Sequence, residues 1–340
     1  MDFNVSRNET IANKSVNING STAVTGISWS FPSISDMVIF PSIVIFNGSV
    51  LFIFIYQGLL SRPFYIYLAN LLFANLVFAI MNNPLDILNL IYPSWWLGNT
   101  ACTVYLYSMY VVDGIMMHAH VLIAINRVWA VTFHISYTRR NTVRTALYCC
   151  LASCIYVHAV CLPYVVLDAL YYRLPIETAG CLINTEALQF WSLLTQFLIY
   201  TLPIVFIVAV YPYLVYKRRA RRIAANIVAP ETDQTPASEK VEAGTVEVLP
   251  KNGTYNAKGG KRGFRVLTAL TFSVTLLWTP SCIFFNVNCF IDISDQTLLM
   301  QIVLVMFASE AVLDPLLFAL VLDDVRDFIV GLVRALFKSA

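Results

Sequence analysis

The sequence predicts an all-α fold: a bundle of seven transmembrane helices followed by a C-terminal amphipathic helix in the membrane interface. The first observation behind this is composition. Of 340 residues, 58% are hydrophobic and only 12% are charged, whereas soluble domains carry about 25% charged residues. The second observation is spacing, because the charges leave long apolar runs between them, and a helix needs about 20 apolar residues to cross a bilayer.

Five uncharged runs are long enough to cross a bilayer, namely 37–61, 63–85, 145–167, 187–216 and 266–291. Two further apolar stretches are interrupted by acids, by Asp113 in one and by Glu310 and Asp314 in the other. Because an isolated charge at bilayer depth is costly, we expect these three acids to face the interior of the bundle. The predicted spans are 33–60, 64–91, 98–132, 143–166, 188–217, 263–290 and 296–320.

The distribution of basic residues predicts the orientation. With seven spans the loops alternate sides, and one side then holds three of the 22 Lys and Arg residues, Arg7, Lys14 and Arg173. Because basic loops stay in the cytoplasm, we expect an extracellular N-terminus and a multi-pass protein of the plasma membrane. Four glycosylation sequons near the N-terminus agree, since this modification occurs in the secretory lumen; they lie at Asn4, Asn8, Asn13 and Asn19.

Three regions follow from this pattern. Residues 1–32 are polar and rich in Asn and Ser, which predicts a glycosylated extracellular tail, and residues 33–320 form the bundle. Within the bundle, 218–262 is rich in Ala, Thr, Glu and Lys and is predicted to be a flexible intracellular loop. Residues 321–340 are predicted to form an interfacial helix and a short cytoplasmic tail, because apolar residues recur on one face of 323–337.

Two of the eight cysteines are predicted to form a disulfide. Cys102 begins the third span and Cys181 lies between the fourth and fifth, so both are extracellular in this topology, where disulfides persist. The other six lie in spans or at a span end, and we interpret them as small apolar residues rather than metal ligands; they are Cys149, Cys150, Cys154, Cys161, Cys282 and Cys289.

Several spans carry polar or proline-containing motifs. These are Asn47 in the first span, Asn75 in the second, Asn126-Arg127-Val128 in the third, Tyr211 in the fifth, Trp278-Thr279-Pro280 in the sixth and Asp314-Pro315-Leu316-Leu317-Phe318 in the seventh. Over about residues 33–335 this set resembles the rhodopsin-like (class A) G-protein-coupled receptors in type, order and helix. The stretch AINRVWAVTF also resembles orphan serpentine receptors of nematodes.

The resemblance implies a receptor that binds an extracellular peptide or small molecule in the bundle and activates a heterotrimeric G protein. It implies coupling and activation roles for a set of motif residues: Asn126, Arg127, Tyr211, Pro280, Pro315 and Phe318. Two departures from the family matter. Asn126 stands where the family has an acid that restrains the arginine, and the inner end of the sixth span, around Gly260 to Phe264, also lacks an acid. We therefore hypothesise raised basal activity.

Relative to this family, the acid and the asparagine of the second and seventh spans have changed places. The family usually has an acid where Asn75 stands and an asparagine where Asp314 stands. Glu310 precedes Asp314 by four residues and so shares its helix face. Two carboxylates this close repel unless one is protonated or a cation sits between them. We hypothesise a sodium or proton site at Asn75, Glu310 and Asp314; the alternative is simple hydrogen bonding of neutral acids.

The third span has a register of seven residues. Asp113, His120 and Arg127 are two helical turns apart, so they share one face, together with Met109 and Met116. At the depth of Asp113 the resemblance implies a ligand pocket, and Met109 stands where amine receptors have an aspartate, so a biogenic amine is not supported. The candidate ligand-binding residues are Asp113, Met109, Trp278, Cys282 and Phe285; the alternative for Asp113 is a structural, protonated acid.

Other functions fit the sequence less well. An opsin needs a seventh-span lysine, which 296–320 lacks. A transporter for a small cationic solute is the alternative from another class, although no internal repeat is visible. We expect no enzymatic activity, no catalytic residues, no metal, no cofactor beyond the hypothesised sodium ion and no nucleic-acid partner. The expected partners are the ligand, a G protein, the lipid bilayer and an arrestin.

Overall fold

Seven long apolar helical segments form the body of the protein. In this computed structural model, residues 29–92, 94–228, 253–288, 291 and 297–339 are described. Over these residues all regular structure is helical, as predicted, and seven segments are long and apolar enough to cross a bilayer. We number them spans 1 to 7: Phe31–Tyr56, Pro63–Ile91, Gly98–Thr132, Val143–Tyr172, Gln189–Lys217, Thr268–Asn288 and Leu298–Val321.

Local sequence signals set where several helices begin. The first helix starts after Ser30, which forms a capping box with Ser33 and so satisfies free N–H groups of the first turn. The helix Val143–Leu167 is capped by Thr142, whose side chain accepts from the N–H of Thr145. The helix Pro63–Met81 begins with a proline, which lacks only an N–H that would be unpaired there anyway.

Four spans are not uniform α-helices, which the sequence did not indicate. Span 2 divides into Pro63–Met81 and Asn83–Ile91, with Pro84 in the first turn of the second helix. Spans 3, 4 and 5 each contain a π-helical segment; these are Ser108–Val112, Asp168–Tyr172 and Gln196–Thr201. The α-helices beside them are Gly98–Tyr107, Asp113–Thr132, Val143–Leu167, Gln189–Thr195 and Leu202–Val228. Each π turn holds an extra residue and so rotates the faces beyond it.

The predicted intracellular loop at 218–262 is helical at both ends, which corrects that boundary. The helix of span 5 runs on to Val228, and the helix of span 6 begins at Gly253 and ends at Asn288. The predicted glycosylation sites Asn4, Asn8, Asn13 and Asn19, and Cys289, lie outside the described residues. The seventh span lies in the helix Thr297–Val321.

Span 3 occupies the middle of the bundle and is the most buried of the seven. Its helix Asp113–Thr132 packs against spans 2, 4, 5 and 6, and Met116 and Met117 belong to one of the two large apolar clusters. The three predicted interior acids are all buried, with Asp113 at 3% exposure and Glu310 and Asp314 at 0%. The polar groups therefore lie inside, with apolar side chains such as Phe52 and Phe73 on the outside.

The two ends of the bundle differ in chemistry. At what we call the disulfide end, Cys102 and Cys181 are bonded as predicted. At the opposite, arginine end, named for Arg127, the helix Asp323–Ser339 follows span 7, in agreement with the predicted amphipathic helix. Short helices join spans at each end, Ile176–Ala179 at the disulfide end and His134–Arg140 at the arginine end.

Candidate functional site

The guanidinium of Arg127 is held by an aromatic ring at the arginine end. Its Cζ lies 3.3 Å from the centroid of the Phe64 ring in span 2, which is a cation–π contact. The side chain is buried, and among the described residues its Nε and one terminal nitrogen have no hydrogen-bond partner. A buried charge without a carboxylate partner is costly, so this arrangement of the described residues stores free energy at the arginine end of span 3.

Asn126, which replaces the acid expected before the arginine, has a partner of its own. Its Oδ1 accepts a hydrogen bond from the hydroxyl of Tyr137 at 3.4 Å, in the helix His134–Arg140. The predicted absence of a carboxylate restraint therefore does not leave Arg127 loose, because Phe64 contacts it instead. The hypothesis of raised basal activity stays a prediction.

Three further predicted activation residues lie in spans 5 to 7. Tyr211 is half-buried in the helix Leu202–Val228, and Pro280 lies inside the helix of span 6. Beside that proline, the hydroxyl of Ser281 donates to the carbonyl of Val303 at 2.7 Å, which ties span 6 to span 7. Phe318 is buried in the apolar cluster at the arginine end.

Pro315 creates a backbone acceptor that a side chain of span 1 satisfies. A proline has no N–H, so the carbonyl four residues earlier, that of Ala311, loses its partner within the helix. The amide of Asn47 donates to that carbonyl at 2.8 Å and also to the carbonyl of Ile43. Asn47 thereby links span 1 to span 7.

The predicted polar set Asn75, Glu310 and Asp314 comes together in the core, with His120 at its centre. The amide of Asn75 donates to Asp314 Oδ2 at 3.3 Å and to Asn47 Oδ1 at 3.0 Å. His120 Nε2 lies 3.3 Å from Asp314 Oδ2 and 3.5 Å from Glu310 Oε1. The sequence placed His120 on the inward face of span 3 but did not join it to the two acids.

Further hydrogen bonds orient Glu310 and His120. The hydroxyl of Ser273 in span 6 donates to Glu310 Oε1 at 2.6 Å. His120 Nδ1 lies 3.0 Å from the carbonyl of Met116, and because a carbonyl only accepts, Nδ1 carries a proton. The lone pair or second proton on Nε2 is thereby directed at the two carboxylates.

Asp113 lies between spans 3, 4 and 5. The hydroxyl of Tyr200 in the π segment of span 5 donates to it, and Cys161 of span 4 is a neighbour. Its other oxygen, Oδ1, has no partner among the described residues. Met109 lies in the π segment of span 3 and is 37% exposed, in contrast to the buried Asp113. The predicted common face of these two residues is therefore interrupted by the π turn.

The three candidate ligand residues of span 6 lie at different depths. Trp278 is buried, stacks on Phe307 at 5.0 Å between centroids and lies 5.6 Å from the His120 ring. Cys282 lies one turn closer to the disulfide end, where Asn286 Nδ2 approaches its sulfur at 3.2 Å. Phe285 is half-buried next to Phe284. Trp278 thus connects to the polar core through His120, and Cys282 and Phe285 lie toward the disulfide end.

Sequence reasoning missed three residues that contact the predicted ones: Phe64, Tyr200 and Ser273. The sequence held no signal that singles them out, since even Ser273 is one of several hydroxyl side chains in span 6. It also missed an acid pair near the disulfide end, where Asp36 and Asp86 lie close together and the hydroxyl of Tyr105 donates to Asp86 at 2.6 Å. Both acids lie within the predicted spans 33–60 and 64–91, but the sequence did not pair them.

The family model of the seven-transmembrane receptors of the rhodopsin family matches residues 46–318, from span 1 to Phe318. The chain belongs to this family. No curated protein matches its sequence. Family membership identifies a signalling receptor that crosses the membrane several times, and the motifs at Arg127, Pro280 and Pro315 all lie within the matched range of this receptor.

Proposed function

We propose that the receptor binds an extracellular ligand through the disulfide end of its bundle and activates a heterotrimeric G protein at the arginine end. The observation that carries this proposal is Arg127, a buried cation whose contact is an aromatic face rather than a carboxylate. A small movement of span 2 or 3 releases such a contact and presents the guanidinium to a partner. Nothing in the described residues favours a transporter.

The ligand site that we propose lies between spans 3, 5, 6 and 7. Asp113 has an unpaired Oδ1 beside Tyr200, which suits a cationic or hydrogen-bond-donating group of a peptide or small molecule. Asp113 lies at the side of this site nearest spans 4 and 5, and Met109, Trp278, Cys282 and Phe285 would supply apolar contacts to other parts of the ligand. A ligand shifts the bundle toward the active state only by its differential affinity for the two states.

The moving part in this proposal is span 6, which bends at Pro280. The proline removes a hydrogen bond inside the helix, which makes this the easiest point to bend. The basic side chains of Lys217 and Arg265 lie at the arginine ends of spans 5 and 6, where they would meet a G protein. An arrestin would be recruited through phosphorylated residues of the inner loop, namely Thr232, Thr235, Ser238 and Thr245.

The proposal is tested by nucleotide exchange on a promiscuous G protein in membranes that contain the receptor. We expect exchange above that of receptor-free membranes, either basally or with a hit from a peptide and small-molecule screen, and its loss in Arg127→Ala. Arg144→Ala, which removes an exposed arginine at the same end, is the matched control and keeps the activity. In parallel, Asp113→Ala loses the response to the hit while basal exchange persists.

Two results contradict the proposal. Exchange that is equal in wild type and Arg127→Ala means that the arginine end does not couple to the G protein. Flux of a cationic solute into vesicles, without any exchange, supports the transporter instead.

A further inference from the structure

His120, Glu310 and Asp314 form a compact set of metal-ligating side chains in the core of the bundle. One ligand atom from each lies within 4.8 Å of the other two, and all three residues are buried. We propose that this cluster binds one divalent transition-metal ion of the Zn²⁺ type, through His120 Nε2 and one oxygen of each carboxylate. This goes beyond ligand binding and G-protein coupling, and it concerns a different occupant from the sodium ion predicted from sequence.

The spacing of the ligand atoms fits such an ion. Zn²⁺ binds imidazole nitrogen and carboxylate oxygen at about 2.0–2.1 Å, in a tetrahedral arrangement. Two ligands on such a tetrahedron are about 3.3 Å apart, from the same bond lengths. The distances from His120 Nε2 to Asp314 Oδ2 and to Glu310 Oε1 are 3.3 Å and 3.5 Å. The three groups need only small shifts to share one ion.

Charge and ligand type favour a divalent transition metal over sodium. Two buried carboxylates with a neutral imidazole carry a charge of −2, which a divalent ion balances and a monovalent ion does not. Imidazole is a ligand of Zn²⁺, Cu²⁺ and Ni²⁺, whereas Ca²⁺ and Mg²⁺ take oxygen ligands. His120 therefore changes the expected ion at this site, because the sodium hypothesis considered only the oxygen and amide groups of Asn75, Glu310 and Asp314.

Each of the three ligands has the second partner that metal sites use to fix their ligands. His120 donates Nδ1–H to the carbonyl of Met116, which leaves Nε2 for the ion. Asn75 donates to Asp314, and Ser273 donates to Glu310 Oε1. The second oxygen of that carboxylate, Oε2, is buried and has no hydrogen-bond partner among the described residues. The described hydrogen bonds therefore leave this carboxylate only partly satisfied, so it can still bind an ion.

The site joins spans 3 and 7 directly and span 6 through Ser273. An ion that binds this arrangement, and not one in which the spans separate, stabilises the arrangement in proportion to its occupancy. Zn²⁺ is therefore expected to raise the unfolding temperature of the receptor.

The test uses the full-length purified receptor in detergent, treated with chelator and then equilibrated with Zn²⁺ alone. Metal content measured by mass spectrometry is expected to be about one ion per receptor more in wild type than in His120→Gln. His118→Gln is the matched control: His118 lies two residues away, is also buried, and its Nδ1 also contacts a backbone carbonyl, that of Gly114, but it faces Tyr156 in span 4. This control keeps the ion.

A second variant, a background substitution and a second metal guard against misfolding and against binding elsewhere. Asp314→Asn, a smaller change, also loses the ion and keeps a cooperative unfolding transition. The reference receptor and all variants carry His158→Gln, because Cys154 Sγ and His158 Nδ1 are 3.7 Å apart and offer an alternative site. Co²⁺ in place of Zn²⁺ gives the visible bands of a four-coordinate ion, without a thiolate charge-transfer band.

Several outcomes overturn the proposal. Equal metal content in wild type and His120→Gln places the ion elsewhere, and an equal loss in His118→Gln shows a general effect on the fold. A rise in unfolding temperature with Na⁺ and none with Zn²⁺ supports the sodium hypothesis instead. None of these readouts uses ligand or G protein, so failure here is distinguishable from failure of the proposed signalling.

Discussion

Pro315 and Asn47 show how a single polar side chain compensates for a missing backbone donor. The proline leaves the carbonyl of Ala311 without its helical partner, and Asn47 donates to it from span 1 at 2.8 Å. Asn47 is 0% exposed and accepts from Asn75 as well. A buried acceptor that loses its donor costs about 1–3 kcal/mol.

We predict that Asn47→Ala lowers the stability of the receptor by about 1–3 kcal/mol, and that part of this cost disappears in Pro315→Ala. The alanine at 315 restores an N–H that bonds the carbonyl of Ala311, so that carbonyl no longer depends on Asn47. Unfolding temperatures of the four members of this cycle in detergent measure the coupling, which for contacting residues is about 0.5–3 kcal/mol. An identical cost of Asn47→Ala in both backgrounds would show that the carbonyl is irrelevant.

Phe64 provides the aromatic ring that contacts the guanidinium of Arg127 in this structure. Cation–π contacts contribute about 0.5–2 kcal/mol, so their loss shifts an equilibrium between two states by about two- to thirtyfold. We predict that Phe64→Leu, which keeps bulk but removes the ring, raises basal nucleotide exchange within this range. Phe64→Tyr keeps the ring and leaves basal exchange near that of wild type.

The matched control for Phe64 is Phe73→Leu, in the same span but 61% exposed. It is expected to leave basal exchange unchanged. Basal exchange that falls in Phe64→Leu would mean that the ring supports the active state rather than the inactive one.

At the scale of elements, the loop between spans 4 and 5 is fixed by more than its disulfide. Asp168 is 0% exposed, and Arg173 binds it through two nitrogens at 2.8 Å and 2.7 Å. The other oxygen of Asp168 accepts the backbone N–H of Asn184, and Arg173 also donates to Thr103 in span 3. The pair thus joins both ends of the loop to the bundle beside Cys102.

We predict that Asp168→Ala destabilises the receptor by about 3–5 kcal/mol, because it leaves Arg173 largely buried without its partner. The unfolding temperature in detergent measures this, and the accessibility of the loop to protease is expected to rise. Glu177→Ala removes an exposed acid of the same loop and serves as the control. A change no larger than that of the control would count against a structural role for the pair.

The sequence predicted the seven spans well, because bilayer crossing needs only length and apolar character, and both are visible in the charge spacing. It did not predict the π segments, such as Ser108–Val112. An extra residue in a turn shifts which residues face the core, but this shift cannot be seen in the sequence when both the core-facing and the lipid-facing residues are apolar. For this reason Met109 does not share the burial of Asp113. After the π turn, from Asp113 to Arg127, the helix is regular, and there the seven-residue spacing correctly predicted which residues are buried.

For the candidate site, the sequence predicted which face of each helix points inward but not which faces meet. Residues four apart on one helix meet by geometry, so Glu310 and Asp314 were paired correctly from the sequence. Which residue of span 3 lies against them depends on how two helices are rotated and shifted relative to each other, and one sequence contains no such information. Only the structure therefore showed that His120 belongs to the cluster and that Phe64 contacts Arg127.

At the scale of the whole molecule, the two ends carry different charges. In the described residues, exposed arginines such as Arg62, Arg140 and Arg144 lie at the arginine end, where Arg62 also pairs with Asp324 of the final helix. At the disulfide end Arg173 is neutralised by Asp168. This asymmetry, with basic residues on one side, favours placing the arginine end in the cytoplasm.

We therefore predict that the N-terminus is extracellular and glycosylated. An N-terminal epitope is expected to be detected on intact cells, and a C-terminal one only after permeabilisation. Removal of N-glycans by glycosidase is expected to increase gel mobility, and the fourfold Asn→Gln variant at positions 4, 8, 13 and 19 is expected to lack this shift.

Asn252→Gln, which removes a sequon in the inner loop, keeps the shift. Asn47 also precedes Gly-Ser but is buried and bonded in the core, so it stays unmodified. A glycan on Asn252, or an N-terminal epitope detected only after permeabilisation, would place the arginine end outside the cell and remove the basis for coupling Arg127 to a G protein.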